Sequence, residues 1–160
     1  MRLSEEATQA EDPPEGLRMR HTTYGMHLTL RLADVRRPEA LDDLTALSRF
    51  LSALVTCLGM RILAGPIVAR EEGTIETSGC SGVVILYESH AAIHTYPHRA
   101  AAFVDVFSCR DFAVAQVADT LAEHFGDHHV VEQTLADRGF HWSADTSIEM
   151  LEWRRERSPR

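Results

Sequence analysis

The sequence predicts an α+β fold: a two-layer α/β sandwich whose helices cover one face of a mainly antiparallel sheet. Three observations carry the prediction. Two stretches, within residues 38–59 and 111–126, repeat apolar residues at helical spacing. Between them lie several β-forming segments separated by turn residues, and one further strand-like segment stands at each outer end. At 160 residues with 44% hydrophobic content, the chain suits a single domain with an ordinary core.

The first sixteen residues, MRLSEEATQAEDPPEG, are polar, acidic and broken by Pro13 and Pro14, so residues 1–20 are expected to be a flexible acidic tail. The domain is placed at 21–140. In YGMHLTLRLADV, His27, Thr29 and Arg31 alternate with Leu28, Leu30 and Leu32, as in a half-buried strand. The next stretch repeats Leu41, Leu44, Phe50, Leu51, Leu54, Val55 and Leu58 at helical spacing, with Leu47 close to the stripe. Pro38 suits the helix start and Gly59 its end.

RILAGPIVAREE reads as a strand that Pro66 confines to an edge or a bulge. CSGVVILYES is strongly β-forming. AAIHTY and AAFVDVFSC read as two more strands, with PHR turning between them. In DFAVAQVADTLAEHFG, Val114, Val117, Ala118, Leu121 and Phe125 form the stripe of a second helix capped by Gly126. HHVVEQTL reads as a closing strand. Residues 141–160 form a C-terminal extension with a short charged helix that Trp142 and Trp153 help to dock. One sheet face is left to carry a site or to be covered by a second copy.

A formal charge of −8 without a basic stripe argues against nucleic acid as a partner. No apolar run is long enough to span a bilayer. Cys57, Cys80 and Cys109 form no zinc or redox pair, and no signal peptide is recognisable, so a reduced cytoplasmic protein is expected. All 16 basic residues are arginine. Without lysine the chain cannot hold pyridoxal phosphate as a Schiff base, so amino-acid chemistry here needs another electron sink.

The densest chemistry lies in YESHAAIHTYPHRAAAFVDVFSC, residues 87–109. If SHAAIHTY is extended, His90, Ala92, His94 and Tyr96 share one face. In FVDVFSC, Phe103, Asp105, Phe107 and Cys109 share a face. A hairpin between the two would bring His94 towards Cys109, a pair suited to acid–base work because both groups titrate near neutrality in the right surroundings. His90 and His94 on a strand would stand roughly 13 Å apart, too far for one ion, so no metal is expected. Taken alone, Cys109 also fits a buried core residue, Ser89 a turn serine and Glu88 a surface acid.

The segment GCSGVVILYESHAAIHTYPHRAAAFVDVFSC resembles the short prokaryotic S-adenosylmethionine decarboxylase proenzymes. The resemblance rests on Glu88-Ser89-His90, Ile93-His94-Thr95, Pro97, and the Asp105, Phe107, Cys109 spacing. Ser81 to Val83 and the phrase Gly25 to Leu28 add to it. It implies cleavage between Glu88 and Ser89: the Ser89 hydroxyl attacks the Glu88 carbonyl to form an ester, elimination of that ester gives dehydroalanine, and hydrolytic loss of ammonia leaves a pyruvoyl group on the new terminus. The implied products are a β chain, 1–88, and an α chain, 89–160. The implied catalytic residues are Ser89, His94 and Cys109, with His94 aiding elimination and Cys109 reprotonating the decarboxylated carbon. Ser81 and Glu88 support processing, helped by a strained turn that exposes the junction. His90 either orients the new terminus or packs, and Asp105 is a hydrogen-bond support. A homodimer is implied, with sites drawing on both protomers.

Family members that use S-adenosylmethionine usually read TWPE where this chain reads TYPH. Tyr96 takes the aromatic place and His98 the acidic one, and these two are the expected substrate-binding residues. Tyrosine can stack and attract a sulfonium cation, but histidine cannot accept two hydroxyl bonds as a carboxylate does. The departure bears on substrate rather than on self-processing. The expected reaction is decarboxylation of S-adenosylmethionine for polyamine synthesis. Decarboxylation of ornithine, arginine or another amino acid, or a non-catalytic regulatory role, are the alternatives.

Overall fold

The computed structural model describes residues 24–138 together with Glu152. The expected acidic tail and the C-terminal extension with Trp142 and Trp153 lie outside the described residues.

Six strands form one sheet: β1 (Gly25–Ala33), β2 (Ile62–Glu71), β3 (Gly79–Leu86), β4 (Ser89–Tyr96), β5 (Ala101–Ser108) and β6 (His129–Arg138). Their order is β2-β3-β4-β5-β1-β6, and every neighbouring pair is antiparallel. β2 to β5 form a meander; β1 then inserts between β5 and the edge strand β6. Helices α1 (Leu44–Cys57) and α2 (Val114–Phe125) cover one face. The two-layer α+β sandwich expected from periodicity is the observed fold.

The core lies between helices and sheet. Leu28, Leu30 and Leu32 point into it from β1, Ala91 and Ile93 from β4, and Val104 and Val106 from β5. Leu47, Phe50, Leu51 and Leu54 meet them from α1, and Val117, Leu121 and Phe125 from α2. Phe50 and Phe125 join the helices with ring centroids 4.9 Å apart. Each buried aromatic or aliphatic side chain contributes about 1.5–3 kcal/mol of apolar transfer energy, which fixes the face that the alternating polar residues must occupy.

Three local expectations are corrected. The first helix starts at Leu44, because the Asp43 carboxylate accepts from the N–H groups of Thr45 (2.8 Å) and Ala46 (3.2 Å). Pro38 instead opens a separate 3-10 turn, Pro38–Asp42, that buries Leu41. Leu44, at the first turn of α1, is therefore exposed, as is Ala118 on α2, where Thr120 is buried in its stead. β3 stops at Leu86 and β4 begins at Ser89, so Glu88 and Ser89 straddle a tight hairpin rather than ending a strand. Pro66 lies on the edge strand β2, where the register shifts between Ala64 and Ile67, as its sequence position required.

Candidate active site

The sheet face away from the helices carries the polar residues of the strands in cross-strand rungs. One rung runs Ile85, His90, Phe107, His27 and Ala136; the next runs Val83, Ala92, Asp105, Thr29 and Thr134; the third runs Ser81, His94, Phe103, Arg31 and Glu132. Ala92 is the small residue between two histidines. The resulting depression, about 400 Å³, is lined by His90, Ala92, His94, Phe103 and Asp105.

Ser89 stands at the end of this face with φ 149°, a backbone conformation that L residues rarely adopt. Such strain costs on the order of 1–3 kcal/mol and persists only where surrounding contacts impose it. Those contacts are present. Glu88 is 7% exposed, and its Oε2 accepts from the Arg61 backbone N–H at 3.0 Å, with Arg61 Nε 3.7 Å from Oε1. Tyr87 N–H donates to the Arg61 carbonyl at 3.0 Å. The Glu88 carbonyl accepts from the Cys109 backbone N–H at 2.9 Å, just past the Ser89–Ser108 register pair. The turn is thus strained as expected but not exposed: the acid is buried against Arg61 and Ser89 is half-buried.

Ser89 Oγ lies 3.3 Å from His90 Nδ1. On the far side of that ring, His90 Nε2 is 3.3 Å from Asp105 Oδ1, and His27 Nε2 is 2.8 Å from Asp105 Oδ2. Asp105 Oδ1 is nevertheless a buried atom without an aligned hydrogen bond, because the His90 contact has the distance but not the direction. Phe107 packs against both imidazoles, with centroids 5.8 Å from His90 and 5.5 Å from His27, and Arg138 caps it at 4.2 Å.

The other expected residues sit elsewhere. Ser81 Oγ and His94 Nδ1 are 2.8 Å apart on paired strands. His94 registers with Phe103, whereas Cys109 lies beyond the end of β5 beside Glu88. The hairpin therefore does not bring His94 towards Cys109. Five residues of strand separate His94 from Ser89, roughly 17 Å. Tyr96 meets Phe103 edge-on at 6.0 Å, and His98 is exposed on the 3-10 turn Pro97–Arg99, both at the end of β4 opposite Ser89. Sequence reasoning missed His27 and Arg61 as parts of the site. His27 alternates with core leucines, which puts it on the open face, but no local signal pairs β1 with β5.

Fold and site together define an α+β sandwich with a strained Glu-Ser hairpin at one end of the sheet face that, among the described residues, carries no helix. The family model for S-adenosylmethionine decarboxylase matches residues 26–139. The chain is 32% identical over 91 residues to the S-adenosylmethionine decarboxylase proenzyme of Symbiobacterium thermophilum, a match spanning 57% of this chain and 64% of that one. It is 31% identical over 136 residues to the proenzyme of Synechococcus sp. WH7803, spanning 85% and 98%. The crystal structure of the adenosylmethionine decarboxylase from Aquifex aeolicus VF5 shares the fold, with a TM-score of 0.60, 24% identity and coverage of 73% of this chain and 92% of that one. This chain belongs to the pyruvoyl-dependent S-adenosylmethionine decarboxylase proenzyme family. Among the described residues, no helix is long and apolar enough to cross a membrane.

Proposed function

We propose that the chain cuts itself between Glu88 and Ser89, converts Ser89 to a pyruvoyl group, and decarboxylates S-adenosylmethionine to S-adenosylmethioninamine for polyamine synthesis. The observation that carries this reading is the hairpin itself: a strained serine whose preceding carbonyl already accepts a fixed backbone donor, Cys109 N–H, at 2.9 Å. Attack by Ser89 Oγ would turn that carbonyl oxygen into an oxyanion, and a preorganised donor there is what acyl transfer requires. Release of the Ser89 backbone strain favours bond cleavage in the same direction.

The residues at the junction fit a pyruvoyl group. Ser89 is the first residue of β4, so the new terminus stays paired beside Ser108, and Cys109 stands next to it. When formed, the group supplies a ketone for the substrate amine and an electron sink for the charge left by departing carbon dioxide. Cys109 is then placed to return a proton to the substrate carbon. His94, held by Ser81, assists elimination, and Tyr96 and His98 hold the substrate. These last four residues cannot reach Ser89 within one protomer.

A second copy resolves the distance. The open face exposes Ile67, Val83, Ile85 and Phe103, apolar side chains that a soluble monomer has no reason to gather. Packing two such faces about a two-fold axis covers them and sets one protomer's His94 and Tyr96 against the other's Ser89. The functional unit is therefore proposed as a homodimer of β (1–88) and α (89–160) chains.

His98 in place of an acid removes the carboxylate that would accept from two ribose hydroxyls, and a smaller amino acid (ornithine, arginine or another), which needs no such clamp, is the second reading. Denaturing mass spectrometry of the purified chain, followed by measurement of carbon dioxide released from each candidate substrate, tests both parts. Two fragments joining at 88/89, with a ketone terminus, are expected, together with activity on S-adenosylmethionine. An intact chain overturns the processing; release from ornithine or arginine alone overturns the substrate.

A further inference from the structure

We propose that His90 is the base that takes the Ser89 hydroxyl proton during self-cleavage, and that Asp105 and His27 position it for that step. The proposal rests on the self-processing reading above and assigns it a residue for the first proton transfer. His94, some five residues along the same strand, is tied to Ser81 and is reserved for the later removal of the Ser89 Cα proton.

The four groups form one chain across three strands. His27 lies on β1, Asp105 on β5, and Ser89 and His90 on β4. Asp105 sits one rung below both histidines and reaches each diagonally, His27 at 2.8 Å and His90 at 3.3 Å. Proton positions follow from this arrangement. Asp105 ionised is acceptor-only, so His27 donates Nε2–H to Oδ2 and the carboxylate cannot rotate freely. That leaves Oδ1 buried and without an aligned donor, an arrangement that native proteins rarely tolerate without a reason. A small tilt of the His90 ring supplies the missing donor, Nε2–H. In that tautomer Nδ1 carries the lone pair, and Nδ1 is the atom 3.3 Å from Ser89 Oγ. Phe107, 9% exposed and packed on both rings, limits other orientations.

The Ser89 O–H bond breaks and its proton goes to His90 Nδ1, while the Oγ electron pair forms a bond to the Glu88 carbonyl carbon. The carbonyl π pair moves to oxygen, facing Cys109 N–H. The carbonyl re-forms as the C–N bond breaks, and His90 returns the proton to the departing Ser89 nitrogen. The products are an ester on Ser89 Oγ and a free amine, with no net gain or loss of protons. Asp105 stabilises the transient imidazolium, and His27 holds Asp105.

The test follows self-cleavage of the full-length chain made by cell-free translation, read by denaturing mass spectrometry with and without hydroxylamine, which cuts esters. Folding is checked by thermal melting of each variant combined with Ser89→Ala. His90→Asn keeps an acceptor near the hydroxyl but cannot take its proton. It is expected to slow cleavage about 100-fold or more, to accumulate no hydroxylamine-sensitive ester, and to melt like its parent. If it melts below the assay temperature, His90→Gln serves the same purpose. His27→Ala is expected to slow cleavage, and His27→Gln, which restores an N–H at the Nε2 position, to recover most of the rate. Native cleavage beside a His90→Asn chain that cleaves equally fast, or that stops at the ester, overturns the role of His90. Equal rates for the two His27 variants overturn the role of His27. A native chain that never cleaves overturns the self-processing reading, and this proposal with it.

Discussion

The backbone N–H of Cys109 donates to the Glu88 carbonyl oxygen at 2.9 Å. This bond joins the end of β5 to the hairpin that opens β4, and it places a main-chain donor where side-chain mutation cannot remove it. Its position depends on β1. Gly25 packs so close to the Ser108 carbonyl and to Cys109 Cα, 2.9 Å from an added Cβ, that any side chain must push this segment aside.

Gly25→Ala is therefore expected to move the donor. Overpacking of this kind costs about 1–3 kcal/mol, and loss of an oxyanion donor slows acyl transfer by about 100-fold or more. Cys109→Ala keeps the N–H and loses the thiol, so it should impair cleavage less than Gly25→Ala while depressing carbon dioxide release. Gel-based cleavage rates and substrate turnover on both variants check the order; the reverse ranking would show that the thiol, not the peptide group, serves the cut.

Ser89 holds its positive φ against a side chain. Glycine carries no such penalty, so Ser89→Gly should exceed Ser89→Ala in stability. The strain relieved is about 1–3 kcal/mol, offset by roughly 0.5–1 kcal/mol for the extra freedom of unfolded glycine. Urea unfolding of the two uncleavable chains measures the difference directly. Equal midpoints would mean that the junction stores no strain.

The strand faces were legible because alternation is local. His27 and Thr29, His90 and His94, and Phe103, Asp105 and Phe107 all lie on the face that their spacing required. Register was not legible. The β4–β5 pairing is set by the Pro97–Arg99 turn and by Ala100 in the left-handed region, and it places His94 opposite Phe103 rather than near Cys109. The insertion of β1 beside β5, which joins His27 to Asp105 across 78 residues, has no local signal at all. The first helix begins at Leu44, after the Asp43 cap, rather than at Pro38, because a side-chain cap outweighs a permissive proline.

Cys80 gives a pH prediction. It is 1% exposed, and burial pushes its thiol up, against the opposing pull of the Arg70 charge. In the folded chain the thiol keeps its proton at a pH where an unfolded thiol, near 8.5, has lost it. The unfolded state then binds fewer protons, so stability is full below the unfolded value and falls as pH rises, by up to about 1.4 kcal/mol per pH unit, until the folded value is reached. Cys80→Ala removes this contribution. In the Ser89→Ala background, the stability advantage of Cys80 over alanine should shrink between pH 8 and pH 10 (about the span of thiol titration). A constant difference across urea melts in that range would refute it.

The separation of Ser89 from His94 makes the proposed dimer testable without a structure of it. Within a protomer roughly 17 Å of strand lies between them, so a side chain on one cannot serve the other. If the partner's His94 completes the site, a chain bearing His94→Ala still contains a usable Ser89, and a chain bearing Ser89→Ala still contains a usable His94. Each variant alone should fail to complete pyruvoyl formation, since each homodimer lacks one of the two groups at both sites. Co-expressed with distinguishable tags, the pair forms heterodimers in which one site lacks both groups and the other has both. The His94→Ala chain should then acquire the ketone terminus, in amounts limited by the heterodimer fraction, while the Ser89→Ala chain stays whole. Mass spectrometry of the separated tags reads the result. Should the His94→Ala chain remain unconverted in purified heterodimer, elimination must be served from within its own protomer, and the sheet-to-sheet arrangement proposed for the two copies is wrong.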